Sequence, residues 1–380
     1  MTARTTRATS AREEACAEGL RTLTPQEPCA EEPGSLNPEG PNALFPEEAC
    51  AEEPGSLNPE GPNGLFPEEA CAEDASTLIP AALRAIERLV ALDASRGATA
   101  AVPAVREALR RIPQLSADPA RLRESDRDRD LLAALAELSE VIGWILFDAG
   151  HYGRARRMNA RSLALAELCG DRGTARLTLL NHSMLEAHTG RPKAALEAAA
   201  RVAGPRPLPA LVDSLVLVRR AHATAMLGGS REAVALISRA RSRFLDGASP
   251  NDPPWAWWID RNELLGHEGW VLSRLRAWDR AVPLLHEAAT APGPSYRHLF
   301  TAELLSALVR ARAWGEAEAL IADVAPRAAG IGSVRTTETL GATAVRLLAS
   351  PGAPPNLRDA GAFLLESLPA RPGGPATRIP

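Results

Sequence analysis

The sequence predicts an all-α protein, an α-solenoid of helical hairpins preceded by a disordered, acidic, proline-rich tail. Alanine, leucine, arginine and glutamate dominate the second half of the chain, and aromatic residues make up only 4% of the 380 residues. That composition favours helices over strands. From about Leu78 onward, apolar residues recur at helical spacing. Small residues then recur at the same point of successive hairpins, as is typical of a helical repeat array.

The predicted tail, residues 1–75, contains a 21-residue segment twice in tandem, in residues 29–49 and 50–70. Its many prolines break helices and strands, and its apolar surface is too small to offset the ordering of the chain, so we expect disorder. The duplication needs no function. The alternative is that the two Leu-Phe pairs, Leu44–Phe45 and Leu65–Phe66, are acidic docking motifs duplicated for avidity.

Charge is divided unevenly between this tail and the remainder of the chain. Residues 1–75 hold 4 basic and 16 acidic residues, whereas the remainder holds 39 basic and 31 acidic residues. Phosphates would repel the tail, and the basic surplus of the remainder is too small to indicate a DNA footprint. Direct nucleic-acid binding is therefore the less favoured interpretation.

The sequence predicts a cytoplasmic protein without membrane association. No apolar run approaches the roughly 18 residues that a spanning helix needs. The longest compact run, Val141 to Phe147, stops at Asp148. The N-terminal arginines are not followed by the apolar core of a secretory signal.

Neither a metal nor another cofactor is predicted. The five cysteines form no CxxC pair and lie beside no histidine cluster, so we expect free thiols, with Cys169 buried at the end of an apolar helix. Asp126, Asp128 and Asp130 have the spacing of a calcium loop, but Leu131 stands where that loop requires glycine. We therefore expect these aspartates at a helix N-terminus, where carboxylates complement the dipole.

Residues 76–349 are predicted to form the helical repeat domain, and residues 350–380 a C-terminal helix with a disordered end. The repeat is marked by five alanines at intervals of 40, 38, 48 and 36 residues. They are Ala155, Ala195, Ala233, Ala281 and Ala317. Each follows an amphipathic helix and a turn and precedes a second amphipathic helix, which predicts five hairpins of two helices each.

These hairpins resemble the tetratricopeptide repeat. In the first unit its small, turn, aromatic and apolar positions are Gly143, Gly150, Tyr152, Ala155 and Leu163. In the fourth and fifth units they are Gly269, Trp278, Ala281 and Ala288, and Trp314, Ala317 and Leu320. Pro192 and Ser230 replace the aromatic residue in the second and third units.

The resemblance implies that the first helix of each pair lines a concave groove and contacts ligands. The corresponding positions here are Glu140, Trp144, Asp148, Met184, His188, His222, Met226, Glu263, Trp270, Arg274 and Arg310. Their mixture of aromatic anchors and charges suits a peptide or an amphipathic helix. The alternative is that Trp144 and Trp270 fill space between neighbouring helices.

A second group of residues has the pattern of a small-ligand pocket. Asp260, Glu263 and His267 share one helix face that follows a cluster of tryptophans. A polar face beside tryptophans suits a small ligand. The favoured interpretation is a capped helix start that packs on the third unit.

A narrower resemblance covers roughly residues 78–348. The strings LRAIERLVALDASRG, LAELSEVIGWILFDAGHYGRARRMNARSLALAELCGDR and DPPWAWWIDRNELLGHEG resemble the carboxy-terminal sensing region of actinobacterial helix-turn-helix transcription regulators. Those regulators carry a DNA-binding helix-turn-helix before this region. Here the acidic tail occupies that place.

The sequence predicts a binding protein and not an enzyme, because it contains no Gly-rich phosphate loop, no GxSxG elbow and no HExxH helix. We expect a regulatory protein-, peptide- or effector-binding module, which the resemblance links to transcriptional or developmental regulation in an actinobacterium. The alternatives are a DNA-associated transcription regulator, acting directly or through a partner, and a passive assembly scaffold. The expected partner is a protein or peptide, or else a small effector, and a homo-oligomer stays open.

Overall fold

Helices form all the regular structure in residues 75–117, 128–205 and 207–369, which a computed structural model describes. The prediction of an all-α protein is therefore confirmed for these residues. The duplicated tail segments with their Leu-Phe pairs, and the end predicted to be disordered after residue 369, lie outside them. The α-helices of the described ranges are α1 Ala75–Arg96, α2 Ala98–Arg111, α3 Arg129–Asp148, α4 Tyr152–Cys169, α5 Arg172–His188, α6 Pro192–Ala200, α7 Ala210–Met226, α8 Ser230–Leu245, α9 Arg261–Arg274, α10 Trp278–Thr290, α11 His298–Ala311, α12 Trp314–Val324, α13 Val334–Leu348 and α14 Pro355–Ser367.

Consecutive helices from α3 onward pack in pairs, and the first helices of neighbouring pairs contact one another. The pairs are α3–α4, α5–α6, α7–α8, α9–α10, α11–α12 and α13–α14. Contacts also join α3 to α5, α5 to α7, α7 to α9, α9 to α11, and α11 to α13. The first helices therefore form one continuous row, on which the side chains predicted to contact ligands lie and which we call the inner row.

The first five pairs share one turn geometry. In each, a residue in the left-handed conformation ends the first helix: Gly150, Gly190, Gly228, Arg276 and Arg312. The N–H of the next residue donates to a carbonyl five positions earlier, at 2.7–3.0 Å. This is the Schellman arrangement, which satisfies backbone groups at a helix C-terminus.

The five alanines that mark the repeat occupy the same structural position. Each is the fourth residue of the second helix of its pair, and each is fully buried. Because they have only a Cβ, the two helices of a pair can approach closely at that point. The longest interval, 48 residues, is explained by the segment between α8 and α9, which contains the 3-10 helix Pro254–Trp258. Trp255 Nε1 of this segment donates to the carbonyl of Gly173 at 3.0 Å.

Acidic and hydroxyl side chains cap several helices. Asp128 Oδ1 accepts from the N–H of Asp130 at 2.9 Å, which confirms the helix N-terminus predicted there; Asp126 lies outside the described residues. Asp260 Oδ1 accepts from the N–H of Glu263 at 2.8 Å, so the interpretation of this segment as a capped helix start is also confirmed. Ser333 caps α13 through the N–H of Thr336. Caps of this kind satisfy N–H groups that have no partner within the helix.

The two ends of the helical array touch. Helix α1 packs against α3 and against the 3-10 helix that precedes α11. The N–H of Thr99 donates to the carbonyl of Gly332 at 2.9 Å, and a Cβ added at Gly332 would lie only 2.1 Å from the carbonyl oxygen of Arg96. Three residues after Gly332, Arg335 Nε donates to Asp148 Oδ1 at 2.6 Å. We call these contacts, of Arg96, Thr99 and Asp148 with Gly332 and Arg335, the closing contact.

The described residues give the outcomes of three further predictions. The helix predicted after residue 350 is α14, which packs against α13 and α12. Cys169 is buried at the end of α4 and has a free thiol, as predicted. Among the described helices, none is both long and apolar enough to cross a membrane.

Candidate functional site

The candidate site is a narrow crevice between the first helices α5, α7 and α9. Six of the eleven side chains predicted to contact ligands line it, and they are Met184, His188, His222, Met226, Trp270 and Arg274. Ser183, Ala187 and Arg219 complete the lining. The volume is about 10 Å³, which is close to the minimum for one water molecule. We call this space the interior crevice.

Helical spacing brings these side chains together. The six predicted residues form three pairs four positions apart, one pair on each of three neighbouring helices. Residues four apart lie on the same face of a helix, one turn above the other. Because the three helices lie side by side in the inner row, their equivalent faces meet at one place.

The rings and the guanidinium of this crevice contact one another directly. The His222 and Trp270 rings lie edge to face with centroids 4.4 Å apart. The guanidinium carbon of Arg274 lies 5.2 Å from the centroid of the Trp270 ring, which is within cation–π range. Trp270 is buried, so its ring forms part of the crevice wall and is shielded from solvent.

A chain of polar groups continues from the crevice into the interior. His222 Nε2 lies 3.1 Å from His267 Nδ1, and His267 Nε2 lies 3.2 Å from both Arg219 Nη1 and Glu263 Oε1. Burial lowers the pKa of both histidines well below the usual value, so both imidazoles are neutral near pH 7. Burial also raises the pKa of Glu263. These side chains therefore form one buried polar chain, in which the neutral imidazole of His267 lies between that of His222 and the side chains of Arg219 and Glu263.

Trp144 and Asp148, two more of the predicted residues, both contact Arg335 of the closing contact. Asp148 is buried and accepts from Ser333 Oγ as well as from Arg335. The guanidinium of Arg335 lies 5.0 Å from the Trp144 ring centroid, and Trp144 Nε1 donates to Asp93 Oδ2 at 3.2 Å. The places where a ligand was expected to contact these two residues are thus occupied by side chains of the chain itself.

The closing contact reaches the interior crevice through two of the crevice residues. Arg335 Nη1 lies 3.6 Å from the sulfur of Met184. Tyr152 Oη donates to Glu338 Oε2 at 2.8 Å and lies 3.0 Å from His188 Nε2. Burial lowers the pKa of His188, which favours its neutral form. Helix α13 therefore contacts the same side chains of α5 that line the crevice.

The remaining predicted residues, Glu140, Glu263 and Arg310, do not line the crevice. Glu140 is buried and accepts from Asn181 Nδ2 at 2.6 Å. Arg310 lies in the last turn of α11, where burial lowers its pKa and the charge of Arg346 acts in the same direction. The crevice accordingly includes only part of the predicted surface.

We expect Glu140→Gln to reduce the loss of stability at alkaline pH. Burial raises the pKa of Glu140 from 4.5 to about 7. The folded state binds this proton more tightly than the unfolded state, so the contribution is complete below pH 4.5 and is lost as the pH rises through 7. Between pH 5 and pH 8 the wild type should lose about 1–3 kcal/mol more unfolding free energy than the variant.

Urea denaturation at both pH values measures this difference. Glu197→Gln is the matched control, because Glu197 is exposed on α6. It should follow the pH dependence of the wild type. If the unfolding free energy of the wild type and of Glu140→Gln changes equally between the two pH values, ionisation of Glu140 does not destabilise the folded state.

Three interior residues of importance were not predicted to contact ligands: Arg219, Arg335 and Asp93. Arg219 lies on the inner face of α7, three positions before His222, and that helical spacing was an available signal. For Arg335 the signal was weaker, a helix cap at Ser333 two positions earlier. The chain matches no protein-family model, and no curated protein sequence matches it significantly. The geometry of the interior therefore carries the functional argument.

Proposed function

We propose that this protein is a regulatory helical-repeat module that binds a small effector in the interior crevice. The observation that carries the proposal is the convergence of six side chains, from three neighbouring first helices, on one narrow space. An aromatic ring, neutral imidazoles and a guanidinium beside methionines are the mixture of apolar surface and few polar groups found in small-ligand sites. Methionine side chains are unbranched and adaptable, so they can move to admit a ligand.

The proposed architecture is an α-solenoid of tetratricopeptide-like hairpins that closes on itself. The recurrent turn and the five buried alanines support this assignment. The closing contact fills part of the concave side with Asp148, Arg335 and Trp144. A small effector is therefore favoured over the extended peptide that an open groove would accept.

The regulatory step in this proposal is a change in the closing contact. A ligand that displaces Met184 or His188 disturbs side chains that Arg335 and Tyr152 contact directly. Because Arg335 binds Asp148, the disturbance reaches the first and last pairs of the array together. A ligand shifts such an equilibrium only by its difference in affinity for the closed and open forms.

The resemblance to the sensing region of transcription regulators supports a role in transcriptional or developmental regulation through a partner. We propose no catalytic activity. The alternative of a DNA-associated regulator predicts salt-steep DNA binding by the isolated protein. A passive scaffold predicts no change of stability with any small ligand.

A thermal-shift screen of a chemically diverse metabolite library tests the function. Ligands that bind only the folded state raise the melting temperature. We expect hits with the wild type and none with Met226→Trp, because the larger ring fills the crevice. Leu245→Trp is the matched control, since Leu245 is 76% exposed at the end of α8 and does not line the crevice. It should retain the hits. A library without hits, or hits that persist in Met226→Trp, would rule out this site.

A further inference from the structure

The interior crevice contains two guanidinium groups without a carboxylate partner. Among the described residues, no Asp or Glu oxygen forms an ion pair within 4.0 Å of Arg219 or Arg274. The Nε atoms of both arginines are shielded from solvent and have no hydrogen-bond acceptor. An isolated buried charge is costly, and an unpaired buried donor adds to that cost.

Other cations of the interior differ from these two. Arg335 is paired with Asp148, and Arg297 is paired with Asp260. Arg335 and Arg297 thus have carboxylate partners, whereas Arg219 and Arg274 of the crevice have none within 4.0 Å among the described residues. The same side chains are donors only, because guanidinium has no acceptor.

Two carboxyl groups act on the two arginines without forming an ion pair. Burial lowers the pKa of Arg219 and of Arg274, and the smaller, opposite effect comes from the charge of Glu263 on Arg219 and of Glu303 on Arg274. The crevice imidazoles of His188 and His222 have lowered pKa values, owing first to burial, and are neutral near pH 7. Burial raises the pKa of Glu303 to about 7, with the charge of Arg274 acting in the opposite direction. Glu263 is buried and has a raised pKa. Within 4.0 Å, therefore, neither guanidinium group of the crevice has a carboxylate oxygen of the described residues beside it, and the imidazoles that line the crevice are neutral.

Building on the proposed effector site, we infer that the ligand is a small organic carboxylate, its anionic group bound by Arg219 and Arg274 and its apolar part packed against Trp270. Guanidinium binds carboxylate with short, charge-assisted hydrogen bonds and suits planar oxyanions. Trp270 and the two methionines of the crevice provide the apolar surface. Because the space now admits about one water, the ligand enters as Met184 and Met226 change rotamer.

Isothermal titration of the full chain with matched acids and amides tests this inference. The probes are phenylacetate with phenylacetamide, and hexanoate with hexanamide, which differ only in the charged group. Inorganic phosphate is the third arm. We expect each carboxylate to bind at least about tenfold more tightly than its amide. Phosphate should bind more weakly than either carboxylate, because it has no apolar part.

Substitutions in the chain locate the binding group. Arg274→Gln should weaken carboxylate binding by about tenfold or more and leave amide binding within about twofold. Arg310→Gln is the matched control, since it removes the same charge from an inner helix but does not line the crevice. It should bind like the wild type. The acid–amide comparison needs only the wild type, so it decides the matter even if Arg274→Gln fails to fold.

The outcomes separate this inference from the function on which it rests. If neutral library compounds bind, Met226→Trp abolishes that binding, and the carboxylates show no advantage over their amides, the effector site stands and the carboxylate assignment is wrong. Preferential binding of phosphate also overturns the assignment. If Arg274→Gln and Arg310→Gln weaken carboxylate binding equally, the affinity depends on the net charge of the protein and not on Arg274 in the crevice.

Discussion

Replacing Arg335 with methionine is expected to lower the free energy of unfolding by about 3–5 kcal/mol. Arg335 is fully buried, binds Asp148, and lies 4.4 Å from the Phe147 ring centroid. Without it, Asp148 keeps a buried charge with no cation beside it. Burial already raises the pKa of Asp93 to about 7, and the charge of Arg335 acts in the opposite direction. The variant therefore leaves two neighbouring carboxyl groups without their cation.

Urea denaturation measures this loss, and Arg88→Met is the control. Arg88 forms an ion pair with Glu107 at 3.2 Å, but its side chain is 62% exposed. Its loss should cost less than about 1 kcal/mol. The double variant Asp148→Asn with Arg335→Met should recover part of the stability, because it removes both charges. If Arg335→Met costs no more than the control, the closing contact does not stabilise the fold.

Gly332→Ala is expected to cost about 2 kcal/mol or more, because it forces the two ends of the array apart. The added Cβ would lie 2.1 Å from the carbonyl oxygen of Arg96 and 2.8 Å from the Cα of Gly97. Both are backbone atoms, so no side-chain rotation relieves the overlap. The hydrogen bond from Thr99 to Gly332 would be strained as well.

Thermal and urea denaturation test this second expectation, with Gly330→Ala as the matched control. A Cβ added at Gly330, two residues earlier, meets no atom within 4 Å. The control should therefore unfold like the wild type. If Gly332→Ala is as stable as the control, the two ends of the helical array can separate with little loss of unfolding free energy.

Sequence patterns predict the local features of this fold well. Helical periodicity identified the helices, and the spacing of Met184 with His188, and of Trp270 with Arg274, placed both pairs on inner faces. The alanine at the fourth position of each second helix was likewise visible, because a close crossing tolerates only a small residue there. All of these depend on neighbours within one or two helical turns.

The closure of the array was not predictable in the same way. Whether α13 meets α1 and α3 depends on the sum of small rotations between successive pairs, and no short motif encodes that sum. The spacing of Asp148 predicts its helix face, but no pattern in the sequence predicts its hydrogen bond with Arg335. The partners of Arg219 were missed for a related reason, since His267 belongs to the next pair of helices.

The closing contact also sets an order of events during synthesis. Arg335 follows Asp148 by 187 residues, which a ribosome adds in about 10–40 seconds. Hairpins whose contacts are local form far faster than that. We therefore expect the nascent chain to form its helical pairs first, with Asp148 still hydrated until Arg335 has left the ribosome. Until then the interior is expected to be open to chaperones and to ligands.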